Sequence, residues 1–289
     1  MEWNDLNAFI SVAEAGSFTQ AAHKLGLTQP AVSKRVKSLE AHLSTHLFDR
    51  VGRRVFVTDA GRLLLTRAKN IMADVLDTEV RIRNLQTSVD GELRLSTSHH
   101  VGLHHLAPAL KIFVETHPQV KLNIRFEDSE NAHALVQQAH SELAVVTLDP
   151  QGPGELEYLP LWDDPLVFVH SALTPLPVEQ QTLAQLTKLP SILPGLDTYT
   201  GRIVAQQFLR SNIDLVPTLS TNYLETIRML VVTGLGWSVL PKAMVDASLQ
   251  ILDLPQPPAR TLGCVINPKR ALSNVAVAFM ELLTTGFSD

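Results

Sequence analysis

The sequence predicts a multidomain α/β chain in three parts: a small helical head with a two-stranded wing (residues 1–58), a long linker helix (59–90) and a two-lobed α/β body (91–289). Three observations carry that expectation. Short capped helices open the chain, an apolar 3–4 repeat runs from Leu64 to Leu85, and strands then alternate with helices from Glu92 onward.

Composition sets the outer bounds. The 289 residues, 45% apolar and 18% charged, suffice for two or three cores and argue against long disorder. No run approaches the ~18 uncharged apolar residues of a membrane span. The acidic start, Met1-Glu2-Trp3-Asn4-Asp5, leads straight into a patterned helix, whereas a secretory signal starts basic; a cytoplasmic location with no membrane partner is expected. Cys264, the single cysteine, excludes an internal disulfide and a cysteine-based metal cluster. The net charge of −5 divides unevenly. Residues 20–70 carry ten Lys/Arg against three acids, and residues 91–289 carry twelve against nineteen. A basic contact surface attached to a neutral-to-acidic body follows.

In the head, Leu6, Phe9, Ile10 and Ala13 mark one face of a first helix that Gly16 ends. Ser17 and Thr19 can cap a second helix with Phe18, Ala21, Ala22 and Leu25 inward, and Gly26-Leu27 turns the chain. Thr28 caps a third helix that takes Gln29 and Pro30 in its first turn. Val32, Val36, Leu39 and Leu43 should face the core, leaving Gln29, Pro30, Ser33, Lys34 and Lys37 outward near the N-terminal end. Amide and hydroxyl groups there suit base edges, with flanking cations for phosphates. This is the arrangement of a helix-turn-helix reader of double-stranded DNA. The next run, Leu47-Phe48-Asp49-Arg50-Val51-Gly52-Arg53-Arg54-Val55-Phe56-Val57, reads as a hairpin with Arg53 and Arg54 at its tip, a wing for phosphates or the minor groove.

Thr58 caps the linker helix. Its stripe of Leu64, Ala68, Ile71, Val75, Thr78, Ile82 and Leu85 follows a heptad seam that Asp90-Gly91 ends. Such a stripe could pack on the chain's own body, but the strict 3–4 alternation favours the same helix of a second copy, so a homodimer or a dimer of dimers is expected.

The run Phe9-Ile10-Ser11-Val12-Ala13-Glu14-Ala15-Gly16-Ser17-Phe18-Thr19-Gln20-Ala21-Ala22 resembles the N-terminal signature of LysR-type transcriptional regulators, as do Leu27-Thr28-Gln29-Pro30-Ala31-Val32-Ser33 and Leu47-Phe48-Asp49-Arg50. The resemblance is dense over residues 1–65 and looser over 91–289. It implies a winged helix-turn-helix, a dimerising linker helix and an effector-sensing C-terminal domain. By matched position it makes Gln29, Pro30, Ser33 and Lys34 the base readers. The implied partners are promoter DNA and a small-molecule effector.

In the body, strands are expected over 92–97, 120–127 and 142–148, with helices over 104–116 and 130–139, in a mostly parallel sheet. After the break Asp149-Pro150-Gln151-Gly152-Pro153-Gly154, a second set comprises strands at 166–170, 191–193 and 219–221, helices at 201–212 and 223–233, a strand after Gly234-Leu235-Gly236, and a tail helix over 274–287. Two such lobes resemble the type 2 periplasmic-binding-protein fold that the LysR family uses for effectors.

Ligands of such sheets sit beyond the strand ends, near helix N-termini. The candidates are Thr97, Ser98, His99, His100, Asp128, Ser129 and Thr147 in the first lobe. In the second they are Thr198, Tyr199, Thr200, Arg202 and Asn222. The family resemblance points to Ser98, Ser129 and the 198–202 loop. Polar cleft positions with Arg202 suggest a small carboxylate effector.

His99, His100, His104 and His105 form an unusual cluster. His100 and His104 would share a helix face, but no cysteine or nearby carboxylate joins them and the helix is expected to begin at 104. No metal or other cofactor is therefore predicted, and the imidazoles are read as effector contacts or as capping and packing groups. The chain shows no nucleophile elbow, phosphate-binding glycine loop or metal-ligand pair of an enzyme. The alternative to a non-enzymatic regulator is a cytoplasmic solute-binding or scaffold protein with a basic protein-interaction head.

Overall fold

A computed structural model describes residues 1–51, 54–86, 88–257 and 259–285. The chain divides into two compact units, Met1–Ile82 and Arg83–Asp289.

In the first unit, α1 (Trp3–Ala15) stops at Gly16, which adopts the left-handed φ of 60° that glycine reaches without penalty. Ser17 accepts the Gln20 N–H at the start of α2 (Phe18–Leu25), and Thr28 accepts the Ala31 N–H at the start of α3 (Gln29–Leu43). Leu6, Phe9, Ile10, Phe18, Ala21, Ala22, Val32, Val36 and Leu39 are buried together. Leu43 departs from the expected core face: it lies exposed in the last turn of α3. The chain reverses at Ser44, in the left-handed region, and Leu47 and Phe48 enter the core in its place. The Phe48 ring lies 5.3 Å from Phe9 and 5.7 Å from Phe18. Each such aromatic contributes roughly 1.5–3 kcal/mol by leaving water.

Strands β1 (Phe48–Val51) and β2 (Arg54–Val57) pair antiparallel, Phe48 with Val57 and Val51 with Arg54. The expected tip residue Arg53 lies outside the described residues. Thr58 accepts the Gly61 N–H and opens α4 (Asp59–Arg83), which ends before the expected Leu85. Along its stripe Leu64 and Ala68 pack on the head core, whereas Ile71, Val75, Ile82 and Leu85 are exposed.

The second unit begins with β3 (Gly91–Thr97). A continuous helical run follows: α5 (His99–Val101), a π-turn (Gly102–Leu106) and α6 (Ala107–Thr116). Then come β4 (Val120–Phe126), α7 (Ser129–Gln137), β5 (Leu143–Thr147) and β6 (Glu157–Asp164). The other lobe holds β7 (Leu166–Ser171), α8 (Leu183–Leu186), β8 (Ile192–Leu193), α9 (Tyr199–Leu209), β9 (Leu219–Ser220), α10 (Leu224–Val232), β10 (Ser238–Pro241) and β11 (Leu249–Ile251). The chain returns to the first lobe as β12 (Arg260–Ile266) and α11 (Asn274–Thr285).

The first lobe's sheet runs β4-β3-β5-β12-β6. Its first three strands are parallel, as expected, but β12 is antiparallel to both β5 and β6, so the sheet is mixed. The second lobe is built on the antiparallel β10-β7-β11 and the parallel pair β8-β9. The tail helix therefore belongs to the first lobe, where Phe279 meets Phe113 of α6 at 5.0 Å, and not to the second set in which sequence order put it. Among the described residues no helix is long and apolar enough to cross a membrane.

Candidate nucleic-acid interface and ligand cleft

The head presents its candidate readers at the start of α3. Thr28, Gln29, Pro30, Lys34 and Lys37 are exposed and Ser33 is half-buried, while Val32, Val36 and Leu39 anchor the opposite side of the helix in the core. The first helical turn is thus rigidly backed yet open to solvent, which a groove-reading helix requires. Arg54 begins β2 beside the expected wing tip.

The cleft lies in the second unit, between its two lobes. Ser98, His99, His100, Asp128, Ser129, Glu130 and Thr147 line it from the first lobe, with Pro194, Thr198, Tyr199, Thr200, Asn222, Tyr223 and Leu224 opposite and Arg260 at the crossover. Strands β6 and β12 carry the chain between the lobes, and their ends pair Asp164 with Arg260. Both side chains are buried; Arg260 Nε donates to Asp164 Oδ2 at 2.6 Å and Nη1 donates to Thr200 Oγ1 at 3.2 Å. Nη2 of Arg260 is buried with no hydrogen-bond partner among the described residues. Burial pushes this guanidinium below its usual pKa, and the Asp164 carboxylate opposes the shift.

Several bonds join the lobes. Asn222 Nδ2 donates to Asp128 Oδ2 at 2.8 Å, and the backbone N–H of Tyr199, in the first turn of α9, donates to the Glu130 carboxylate. Burial raises the Glu130 pKa, with the helix amide working against that rise. The cleft is open to solvent on one side, with a cavity volume of about 50 Å³. Its resident hydroxyls are partly committed. Ser98 caps α5, Thr198 caps α9 while donating to Gly195 O at 2.7 Å, and Ser129 accepts the Thr147 N–H. His99 packs between Phe126 and Tyr223.

Two family models match this chain. One, the bacterial regulatory helix-turn-helix protein of the lysR family, covers residues 3–62, and the other, the LysR substrate binding domain, covers residues 86–288. The chain belongs to the LysR family.

Among its relatives, this LysR-family chain is 55% identical over 108 residues to an HTH-type transcriptional regulator of Azotobacter vinelandii, spanning 37% of this chain and 75% of that one. A probable RuBisCO transcriptional regulator of Trichormus variabilis is 29% identical over 300 residues, covering 99% of this chain and 88% of the relative. Full-length OxyR from Pseudomonas aeruginosa shares the fold with a TM-score of 0.66 at 20% identity, over 99% of this chain and 94% of that one. The chain is thus a LysR-type transcriptional regulator with an effector-binding domain.

Measured against this LysR cleft, the sequence-derived candidates divide. Ser98, His99, His100, Ser129, Thr147, Thr198, Tyr199, Thr200 and Asn222 come together. Thr97 does not line the cleft: its hydroxyl is buried and donates to Val145 O at 2.8 Å within the sheet. Arg202 does not line it either; its guanidinium lies over the Tyr199 ring at 4.8 Å and 3.9 Å from Asp149.

Arg260 is the principal residue missed. The run Arg260-Thr261-Leu262-Gly263-Cys264-Val265-Ile266 had the apolar, β-branched texture of a buried strand, a signal that could have drawn notice to the lone cation at its start. The histidine segment also differs from expectation. Ser98 caps a helix that begins at His99 rather than 104, and the π-turn at Gly102 carries it onward. At Gly102 a β-carbon would meet the Phe126 ring at 2.6 Å, so a larger residue there would have to displace that ring. The His100 and His104 rings lie near each other, tilted by 40° with centroids 4.7 Å apart. A carboxylate is near after all: Glu225 of α10 lies 3.1 Å from His104 Nε2. Burial, together with Arg260, His104 and His105, pushes His100 down to about 2, so its imidazole is neutral.

Proposed function

We propose that this regulator reads promoter DNA through the exposed start of α3 and is controlled by a small carboxylate held in the cleft. Residues 1–58 form the reading head, 59–90 the pairing helix and 91–289 the effector unit. Thr28, Gln29, Pro30 and Ser33 address base edges. Lys34 stands with the base readers by matched position, and Lys37 with the wing residues Arg53 and Arg54 addresses phosphates. The exposed stripe of Ile71, Val75, Ile82 and Leu85 is covered by the same helix of a second copy, giving two heads for a two-fold site.

The observation that carries the carboxylate reading is Arg260 Nη2, a buried donor at the cleft without a partner among the described residues. Guanidinium groups bind carboxylates strongly, and α9 already receives one carboxylate, that of Glu130, on its first amide. An effector carboxylate between Arg260 and Thr200 would compete with that contact and alter how the lobes close. No step of this reading needs an enzymatic reaction.

A panel of small carboxylates and their neutral amides, screened by thermal shift on the full chain, tests this reading. A carboxylate should raise the melting point where its amide does not, and should change affinity for the cognate duplex. Amides that stabilise as well as the acids would contradict it.

A further inference from the structure

We infer that His100, His104 and Glu225 form a binding site for a divalent transition metal of the zinc or cobalt type, bridging the two lobes of the effector unit. The histidines lie four apart on the helical run opened by Ser98, and Glu225 comes from the first turn of α10 in the other lobe. Glu225 Oε1 is 3.1 Å from His104 Nε2 and 3.7 Å from His100 Nδ1, and one donor atom from each residue lies within 4.8 Å of the others. Ligand atoms held at roughly 2.0–2.2 Å from a tetrahedral ion stand about 3.3–3.6 Å apart, so small rotamer adjustments close this set.

An independent observation points the same way. His100 is only 4% exposed, yet neither of its ring nitrogens makes a hydrogen bond among the described residues. Buried polar atoms left so are uncommon and call for a ligand. Nδ1 faces Glu225, and Nε2 faces Asp164 Oδ2 at 3.8 Å. With the ion on Nδ1, Nε2–H points toward Asp164, which Arg260 already holds in place. Metal-binding histidines characteristically have such a carboxylate behind them.

Two imidazoles and one carboxylate suit zinc, cobalt or nickel, whereas magnesium and calcium prefer all-oxygen sets. His104 and Glu225 are partly exposed, so an ion has an entry path and water can complete the coordination. His100 lines the cleft but His104 and Glu225 do not, so substitutions at these two test the metal site apart from the effector reading.

Titration of the full chain with Co²⁺, followed by visible absorption and equilibrium dialysis, tests the assignment, with Zn²⁺ as competitor. The wild type should take up one equivalent with a tetrahedral absorption band that Zn²⁺ abolishes. His104→Ala and Glu225→Gln, both at partly exposed positions, should each weaken uptake about tenfold or more. His117→Ala, at the far end of α6, should leave it unchanged. Absence of one-equivalent uptake by the wild type, or uptake that survives either substitution, overturns the site.

Discussion

Arg260 and Asp164 form a buried ion pair, Nε to Oδ2 at 2.6 Å, where the two strands linking the lobes lie side by side. The pair fixes the crossover and holds the guanidinium against the cleft. Removing the carboxylate leaves that charge uncompensated in a buried site. Asp164→Asn should therefore cost about 3–5 kcal/mol of the second unit's stability, read from its urea transition. A change below about 1 kcal/mol would show that Arg260 finds other compensation.

Arg260→Lys retains the charge but loses the planar fork. It should weaken binding of an activating carboxylate by about tenfold or more while shifting the melting point of the ligand-free protein far less than Asp164→Asn does. Calorimetric titration of both proteins checks this, and equal affinities would remove Arg260 from the ligand's contacts.

The exposed half of the α4 stripe predicts assembly. Ile71→Asp places a charge in the seam and should shift the protein to monomer at low micromolar concentration, as read by sedimentation velocity. An unchanged mass would place the interface elsewhere.

His133 predicts a pH dependence. It is buried, with its Nδ1 facing the Tyr158 and Tyr199 hydroxyls at 3.1 and 3.2 Å. Burial lowers its pKa from 6.5, against a weaker upward pull from the Thr147 backbone and Asp149. Below pH 6.5 the unfolded chain binds a proton that the folded chain refuses. The stability contributed by neutral His133 is therefore present above that pH and is lost as pH falls toward the folded value. The denaturation midpoint should decline between pH 7 and pH 5, and less steeply in His133→Gln. Identical slopes would assign the loss to other groups.

The head was legible in the sequence because its determinants are local. Ser17 and Thr28 cap their own helices, Gly16 and Gly26 end theirs, and the inward spacing on α1 and α3 needs no distant partner. The body was legible only where elements follow one another. Strand β12 pairs with β5 and β6 from far along the chain, and no periodicity announces such pairing. The β6 segment escaped notice because Pro160 and three acids blur its strand pattern. Arg260 and Glu225 were overlooked for the same reason: Arg260 reaches the cleft, and Glu225 the histidine pair, through a crossing of the fold and not through a motif. Leu43 misled in the opposite direction, since its spacing is right but α3 outruns the helices that could cover it.

The central claim is that the solvent-facing start of α3 reads bases. Fluorescence anisotropy of wild type and Gln29→Ala on cognate and random duplexes, at several salt concentrations, tests it most directly. The account predicts a loss of roughly 1–3 kcal/mol on the cognate site, little change on random DNA and an unaltered salt dependence. Equal losses on both duplexes, or none on either, would contradict it.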